Sequence, residues 1–377
     1  MPDFRASHCT RYRYRYSECR RCADACPHEA ISLSDEGAAL VANRCKNCGL
    51  CISACHTNAW SSADFKPIDI LRDAIKKPAF SMACEPSGCK GDALVPCLGA
   101  VDATWLAYMA KRRIPVMLRG GGHCGQCAHG KTGAEQIRMN LDAVDGLAAA
   151  QRLGEDSDAQ EPQWTMPILV EDDRSAPARQ ATQAQSSVGS ARRNLFGRLF
   201  RRSLEPTTAQ TKTDQSMQAP EKAIRAGAYM VSDQRELLQL VCKQKTDRPF
   251  TVVLHECLPL MQLTLQSGCT LCEACFRVCP TGAIEIEQNP HDWALTFQTD
   301  RCVACEVCLE VCQPRVLDAR ASFNARPGQR AITLIKQATQ RCARCDRHFV
   351  SPTPQKTCPI CSDDEYAFDA IFGPDSH

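Results

Sequence analysis

The chain has 377 residues, 27 of them cysteine, and a formal charge of +2 from 45 basic against 43 acidic side chains. A balance so near zero excludes a broadly electrostatic nucleic-acid or membrane binder, and no run approaches the ~18 apolar residues of a membrane-spanning helix. Only 6 % of residues are aromatic, so the 44 % hydrophobic fraction leans on cysteine and conventional cores must be small. The opening stretch MPDFRASHCTRYRYRYSECRRC lacks the apolar core of a secretory signal. A cytoplasmic setting is expected, in which thiols stay reduced and metal ligation, not a disulfide framework, is the use for so many cysteines.

Residues 1–63 hold the first two cysteine blocks: Cys19, Cys22 and Cys26, then Cys45, Cys48, Cys51 and Cys55. The second block has the spacing C-x2-C-x2-C-x3-C, which returns unchanged at Cys269, Cys272, Cys275, Cys279 and at Cys302, Cys305, Cys308, Cys312. Three thiolates two residues apart wrap one corner of an iron–sulfur cubane while the intervening amides point at its sulfurs. The fourth, on the following turn, reaches the other cluster of a pair. Such an exchange requires blocks in tandem, and tandem blocks occur twice.

These blocks, most clearly CTLCEACFRVCPTGAIEI, resemble the bacterial two-cluster ferredoxin family over residues 6–60 and 266–320. The resemblance implies two small pseudo-twofold modules, each around two [4Fe–4S] clusters. In the C-terminal module (266–322) it implies one cluster on Cys269, Cys272, Cys275 and Cys312, and another on Cys302, Cys305, Cys308 and Cys279. In the N-terminal module (1–63) it implies one on Cys45, Cys48, Cys51 and Cys26, and three corners of the other on Cys19, Cys22 and Cys55. Here the sequence departs from the family pattern, because Tyr16 stands where the first cysteine belongs. Cys9 is the available replacement, with RYRYRY looping out between. Without Cys9 the cluster would have three cysteines and a labile or three-iron form. The Arg–Tyr alternation predicts a short strand or extended ribbon with one basic and one aromatic face, either a solvated insertion or a docking surface for an acidic redox partner. His56, in place of a proline after Cys55, reads as a surface histidine.

Residues 64–153 change to alternating helix and strand. IDILRDAIKK predicts a helix, FSMAC and ALVPC strands, DATWLAYMAKRR a helix, IPVMLR a strand and GAEQIRMNLDAVDGLAAAQRL a long helix. This alternation predicts a small parallel α/β domain. Cys84, Cys97, Cys124 and Cys127 follow its strands, at the carboxyl ends where sites form in such sheets, and Cys89 lies between. VPCLGAVDATWLAYMAKRRIPVMLRGGGHCGQCAHG resembles the delta subunit of methyl-viologen-reducing hydrogenases. That resemblance implies a further centre, a [2Fe–2S] cluster, on four of Cys84, Cys89, Cys97, Cys124 and Cys127. The alternatives are a redox-active dithiol at Cys124 and Cys127, or buried structural thiols. His123 and His129, flanking that pair, read as solvent-facing or supporting groups.

Residues 154–221 are rich in Ala, Gln, Ser, Thr and Pro and read as a disordered linker. Within it, SARRNLFGRLFRRSL sets Leu195, Phe196, Leu199 and Phe200 among five arginines. Residues 192–204 are a candidate basic amphipathic segment for peripheral contact with a membrane surface or an acidic partner, or, with Gly197 inside, an unstructured basic patch. In 222–265, DQRELLQLVCKQ predicts a helix with Cys242 in a core, and PFTVVLHE a buried strand followed by Cys257; together they could complete the α/β layer. After the second ferredoxin-like module, residues 323–377 carry Cys342, Cys345, Cys358 and Cys361 as C-x2-C-x12-C-x2-C. These form the two knuckles of a zinc-ribbon-like tetrathiolate, with structural zinc favoured over rubredoxin-like iron. The acidic SDDEYAFDAIFGPDSH that follows disfavours nucleic acid, and His348 reads as exposed.

The expected fold is therefore α+β and multi-domain. No nucleophile–base pair and no dinucleotide fingerprint points to a stand-alone enzyme. The expected function is a polyferredoxin passing single electrons, with about four [4Fe–4S] clusters, an additional [2Fe–2S] and zinc. Its expected partner is a redox protein such as a dehydrogenase or hydrogenase subunit, formate dehydrogenase among them. The alternatives are a cluster scaffold or maturation protein for a metalloenzyme, and a Cys124/Cys127 thiol–disulfide oxidoreductase. Ligated cysteines are deprotonated, so filling four cubanes and one tetrathiolate would bring the chain to roughly −8.

Overall fold

The computed structural model describes residues 1–153, 164–171, 231–243, 250–325 and 331–364, which fall within one compact unit. The basic segment at 192–204 and most of the expected linker and acidic tail lie outside the described residues.

The N-terminal module pairs β1 (Pro2–Phe4) antiparallel with β4 (Trp60–Ser62), and closes a hairpin from β2 (Ile31–Ser34) and β3 (Gly37–Leu40). Three short helices, α1 (Thr10–Arg13), α2 (Arg21–Asp24) and α3 (Leu50–Ala54), carry or border the cysteine blocks. Trp60 is fully buried, with the Phe4 ring tilted against it at 4.8 Å.

The Arg–Tyr stretch departs from the expected ribbon: Thr10–Arg13 is a helical turn, closed by Tyr14 N–H donating to Thr10 O at 2.8 Å. Arg11 folds back and donates to the carbonyls of Ser17 (2.7 Å) and Ser34 (3.1 Å), which pulls the segment into a loop. Alternation could not reveal this, because long-range carbonyls outcompete the local extended preference. Beyond the turn Tyr14 meets Tyr16 edge-on at 5.7 Å, with Arg15 over the Tyr16 ring at 4.9 Å.

The middle region forms a parallel layer. Helix α4 (Pro67–Ala74) leads into β5 (Phe80–Cys84), followed by β6 (Ala93–Val95), α5 (Ala103–Lys111), β7 (Val116–Arg119) and α6 (Gly130–Leu153). Asp102 caps α5, accepting from the N–H groups of Thr104 (2.9 Å) and Trp105 (3.3 Å). The strand order is β6-β5-β7-β8, all parallel, where β8 (Ile168–Val170) lies inside the stretch assigned to the linker. Three apolar residues are too few to stand out from an acidic, polar surround. Pairing with β7 through Met117↔Ile168 is what makes them a strand.

Helix α7 (Asp233–Cys242), capped by Ser232, packs beside α5, and Lys111 Nζ donates to the carbonyls of Val241 (2.7 Å) and Lys243 (2.6 Å) at its end. The following strand β9 (Phe250–Val253) does not join the parallel sheet, because its edge is taken antiparallel by β14 (Ser322–Ala325). Phe250 and Val252 still enter the core shared with Leu50, Phe80, Leu106, Leu118, Leu147 and Leu238. The segment thus completes the core and not the sheet.

The C-terminal module repeats the N-terminal plan. An outer pair, β10 (Leu263–Leu265) with β13 (Leu317–Ala319), accompanies a hairpin of β11 (Ile284–Gln288) and β12 (Asp292–Gln298). Helices α8 (Ala274–Val278) and α9 (Val307–Glu310) match α2 and α3. Strand β15 (Ala331–Ala338) extends the hairpin sheet against β12, with a bulge at Leu295/Thr296, and leads to a small knuckle of β16 (Gln340–Arg341) and β17 (His348–Phe349).

Candidate metal centres

The regular blocks share one backbone device. Two residues after the first cysteine and one after the second, the chain turns left-handed: Asn47 and Gly49, Leu271 and Glu273, Ala304 and Glu306, with φ from 51° to 78°. Left-handed backbone at non-glycine residues costs about 1 kcal/mol or more each and persists where the surroundings demand it. Here it curls the loop so that thiols and amides point to one side. A further left-handed residue follows the last cysteine of every block by three positions: Glu29, Asn58, Gly282 and Arg315. The next amide then donates to the cysteine sulfur in Ala30→Cys26 (3.3 Å), Ala59→Cys55 (3.3 Å) and Ala283→Cys279 (3.2 Å).

These turns bring the cysteines together in fours. Cys26, Cys45, Cys48 and Cys51 line one cavity of the N-terminal module, with His28 in its wall. A second cavity is lined by Cys9, Cys19, Cys22 and Cys55, together with Phe4, Arg21, His56, Trp60 and Cys305. Cys9 therefore joins the set that Tyr16 leaves one short; Tyr16 itself is 66 % exposed and does not line the cavity. Gly37, at φ +116°, lies close to Cys9: a Cβ there would stand 3.6 Å from the Cys9 sulfur and 3.2 Å from the Phe4 ring. Burial pushes the Cys22 thiol up to about 12, and Cys55, Cys19 and Cys9 are near enough to add to the effect.

In the C-terminal module, Cys269, Cys272, Cys275 and Cys312 line a third cavity under Trp293 and Leu295. Burial pushes Cys275 up to about 12, reinforced by those three neighbours. Cys279, Cys302, Cys305 and Cys308 form the remaining set. Burial raises Cys305 and Cys308 well above the ordinary thiol range, with Cys279 and Cys302 adding to both. Thiols so raised stay protonated unless a positive centre arrives to hold the thiolates, as iron ligation does.

Arg235 on α7 belongs to no motif in the sequence. It is 3 % exposed and donates from Nε to Cys302 O at 2.8 Å and from Nη2 to Thr299 O at 2.5 Å. Burial lowers its pKa, while Cys242, Cys302 and Asp300 oppose that. A buried guanidinium needs a nearby negative charge, which four thiolates around a cubane would supply. His56, expected at the surface, is instead 4 % exposed. Its Nε2 meets Arg21 Nη1 at 3.1 Å, and Arg21 also donates to Glu256 O at 3.0 Å. The fold closes over the position where the sequence offered only an isolated polar residue.

Of the five cysteines in the α/β layer, four line one cavity: Cys84, Cys97, Cys124 and Cys127, with His123 and His129. Cys89 does not line that cavity but is near enough to Cys84 to raise it, and its N–H donates to Ser87 Oγ at 3.2 Å. Cys84 ends β5 and Cys97 follows β6, while Cys124 and Cys127 sit on and after the 3-10 turn Gly121–Gln126 that follows β7. Burial pushes Cys84 up to about 11 and Cys97 to about 12. Gly133 is required by this site, since a Cβ would come within 2.7 Å of the Cys97 sulfur. His129 is buried, its N–H reaches Cys127 Sγ at 3.4 Å, and its Nδ1 lies 3.0 Å from His28 Nε2. Cys257 stays apart from this set, accepting from Gln136 Nε2 at 3.3 Å. Cys242 is half-buried against the main core.

Cys342, Cys345, Cys358 and Cys361 place their sulfurs within 4.8 Å of one another, a spacing that suits a single metal ion. The backbone amides of Cys345 and Cys358 hold the Cys342 thiol down to about 6, whereas burial pushes Cys361 up to about 12. His348 is exposed.

The family model for the 4Fe-4S dicluster domain matches the chain twice, at residues 17–59 and 268–316. No curated protein matches it. The first match begins after Cys9, so the family pattern does not include that cysteine. No helix among the described residues is long and apolar enough to cross a membrane. The chain carries tandem ferredoxin-like 4Fe-4S dicluster domains, the equipment of an iron–sulfur electron-transfer protein.

Proposed function

We propose that this protein is a multi-centre electron relay serving a cytoplasmic redox enzyme, with a dehydrogenase or hydrogenase subunit as its partner. The observation that carries this reading is the convergence of cysteines in fours, including Cys9 with Cys19, Cys22 and Cys55. On this reading four [4Fe–4S] clusters are held by that set, by Cys26, Cys45, Cys48 and Cys51, by Cys269, Cys272, Cys275 and Cys312, and by Cys279, Cys302, Cys305 and Cys308. Bound cubanes supply one-electron chemistry without proton transfer.

The chain's own groups do the rest. Amides such as Ala30 and Ala283 donate to cysteine sulfurs and so favour the reduced, more negative state. Arg235 places a fixed positive charge beside Cys302. Trp60, Trp293 and Leu295 keep water from the sulfurs.

The middle cavity takes a further centre, a [2Fe–2S] cluster on Cys84, Cys97, Cys124 and Cys127, as the resemblance to the hydrogenase delta subunit suggests. A thiol–disulfide role for Cys124 and Cys127 alone is disfavoured, because they share one cavity with Cys84 and Cys97. The knuckle holds zinc, which stabilises a segment with very little core of its own. Metal analysis of anaerobically purified protein tests this: about 16 iron and one zinc per chain is expected, and about 18 iron with the middle centre filled. Iron below about 12 per chain, with fewer than three reducible cubanes by EPR, would sink it. Ready transfer of clusters to an acceptor without electron exchange would point to a scaffold instead.

A further inference from the structure

The five thiol-lined sites touch one another in a definite order. Within each module the sites share chain: Cys22 and Cys26 flank the end of α2, Cys51 and Cys55 that of α3, Cys275 and Cys279 that of α8, and Cys308 and Cys312 that of α9. Between modules, Cys305 of the C-terminal half lines the cavity of Cys9, Cys19, Cys22 and Cys55. Glu18 N–H donates across the same junction to Glu310 Oε1 at 3.1 Å. On the other side, His28 lines the cavity of Cys26, Cys45, Cys48 and Cys51, and His129 lines the cavity of Cys84, Cys97, Cys124 and Cys127. The two imidazoles are 3.0 Å apart, and their nitrogens lie within 4.8 Å of Cys48 Sγ. At the extremes, Cys272 is exposed at one end, and Gly125 and Gln126 are exposed beside Cys124 and Cys127 at the other.

We infer that the two modules and the α/β layer form one unbroken series of sites, open to the surface at both ends, with Cys305 and the His28–His129 pair at its junctions. The order is Cys269/272/275/312, Cys279/302/305/308, Cys9/19/22/55, Cys26/45/48/51, Cys84/97/124/127. Two redox partners then face the molecule, one near Cys272 and one near Gly125, and electrons cross the whole chain between them. This rests on the relay reading above and adds its order and its two ends.

The test uses the full chain loaded anaerobically, read by iron content and by EPR of the reduced protein. Cys19→Ser removes the central site. The signal of the neighbouring Cys279/302/305/308 site should lose splitting and saturate at lower microwave power, while the distant Cys269/272/275/312 signal keeps its own. His129→Leu keeps every proposed ligand. It should leave iron and spectra unchanged but slow, several-fold, the arrival of an electron at the middle site after photoreduction from the Cys272 end. Iron loss confined to the central site with a Cys279/302/305/308 signal indifferent to Cys19→Ser, or an unchanged arrival rate in His129→Leu, overturns the series while leaving the relay reading intact. A wild-type chain that takes up no cubane iron removes the relay reading, and the series with it.

Discussion

The two ferredoxin-like modules share a plan and differ in one block. In the C-terminal module both blocks have regular spacing, and each shows the paired left-handed residues that wind the loop around its site. Among the described residues the first N-terminal block has no such pair: Arg20, beside Cys19, has φ −128°. There Cys9 lines one cavity with Cys19, Cys22 and Cys55, in a loop that Arg11 folds back and beside the space that Gly37 leaves. What a site requires is four sulfurs around one volume. Local spacing is the cheapest way to arrange them, and a loop stapled by side-chain hydrogen bonds is another.

The largest effect expected from disturbing this contrast is on a regular block. Cys302→Ser removes a ligand for which the sequence offers no nearby substitute, and about four iron per chain should be lost, together with one reducible centre by EPR. In the irregular block, Cys9→Ser should cost between about one and four iron, leaving a three-iron or empty site. Adding Tyr16→Cys should not rescue it, because residue 16 points to solvent. Recovery of full iron in the double variant would show that the family spacing is still available to this loop.

A smaller effect is expected from charge. Arg235 lies beside the Cys302 site and has no assigned role at the N-terminal sites. Arg235→Gln should lower the potential of the Cys302 site by on the order of tens of millivolts, since the reduced state loses a compensating charge. Potentiometric EPR should find the N-terminal centres unmoved.

The smallest effect concerns Asp102, beneath the N-terminal module, where Gln234 Nε2 reaches both Ser53 O and Asp102 Oδ2. Burial pushes the Asp102 carboxyl up to about 6 from its ordinary 3.8. Because the folded value is raised, its favourable contribution is complete below about pH 4 and is lost as pH rises through 6. Asp102→Asn keeps the cap on α5 and should flatten that dependence. Melting between pH 5 and 7 should show the variant gaining on wild type by about 2 kcal/mol at most. Parallel curves would remove Asp102 as the cause.

The amino-acid sequence by itself determined the cysteine blocks, their tandem arrangement and the alternation of the middle layer. These are local facts: spacing and periodicity are written in consecutive residues. The strands at Phe80–Cys84 and Val116–Arg119 and the long helix to Leu153 followed from the same kind of signal. Only the tertiary structure decided that Cys9 lines one cavity with Cys19, Cys22 and Cys55, that Ile168–Val170 is a strand, and that His56 and Arg235 are buried. Each depends on a partner far away in the chain. Burial and pairing between distant segments leave no periodic mark on either one, so the ligand inventory was legible in the sequence, while its assembly was decided by how the chain packs.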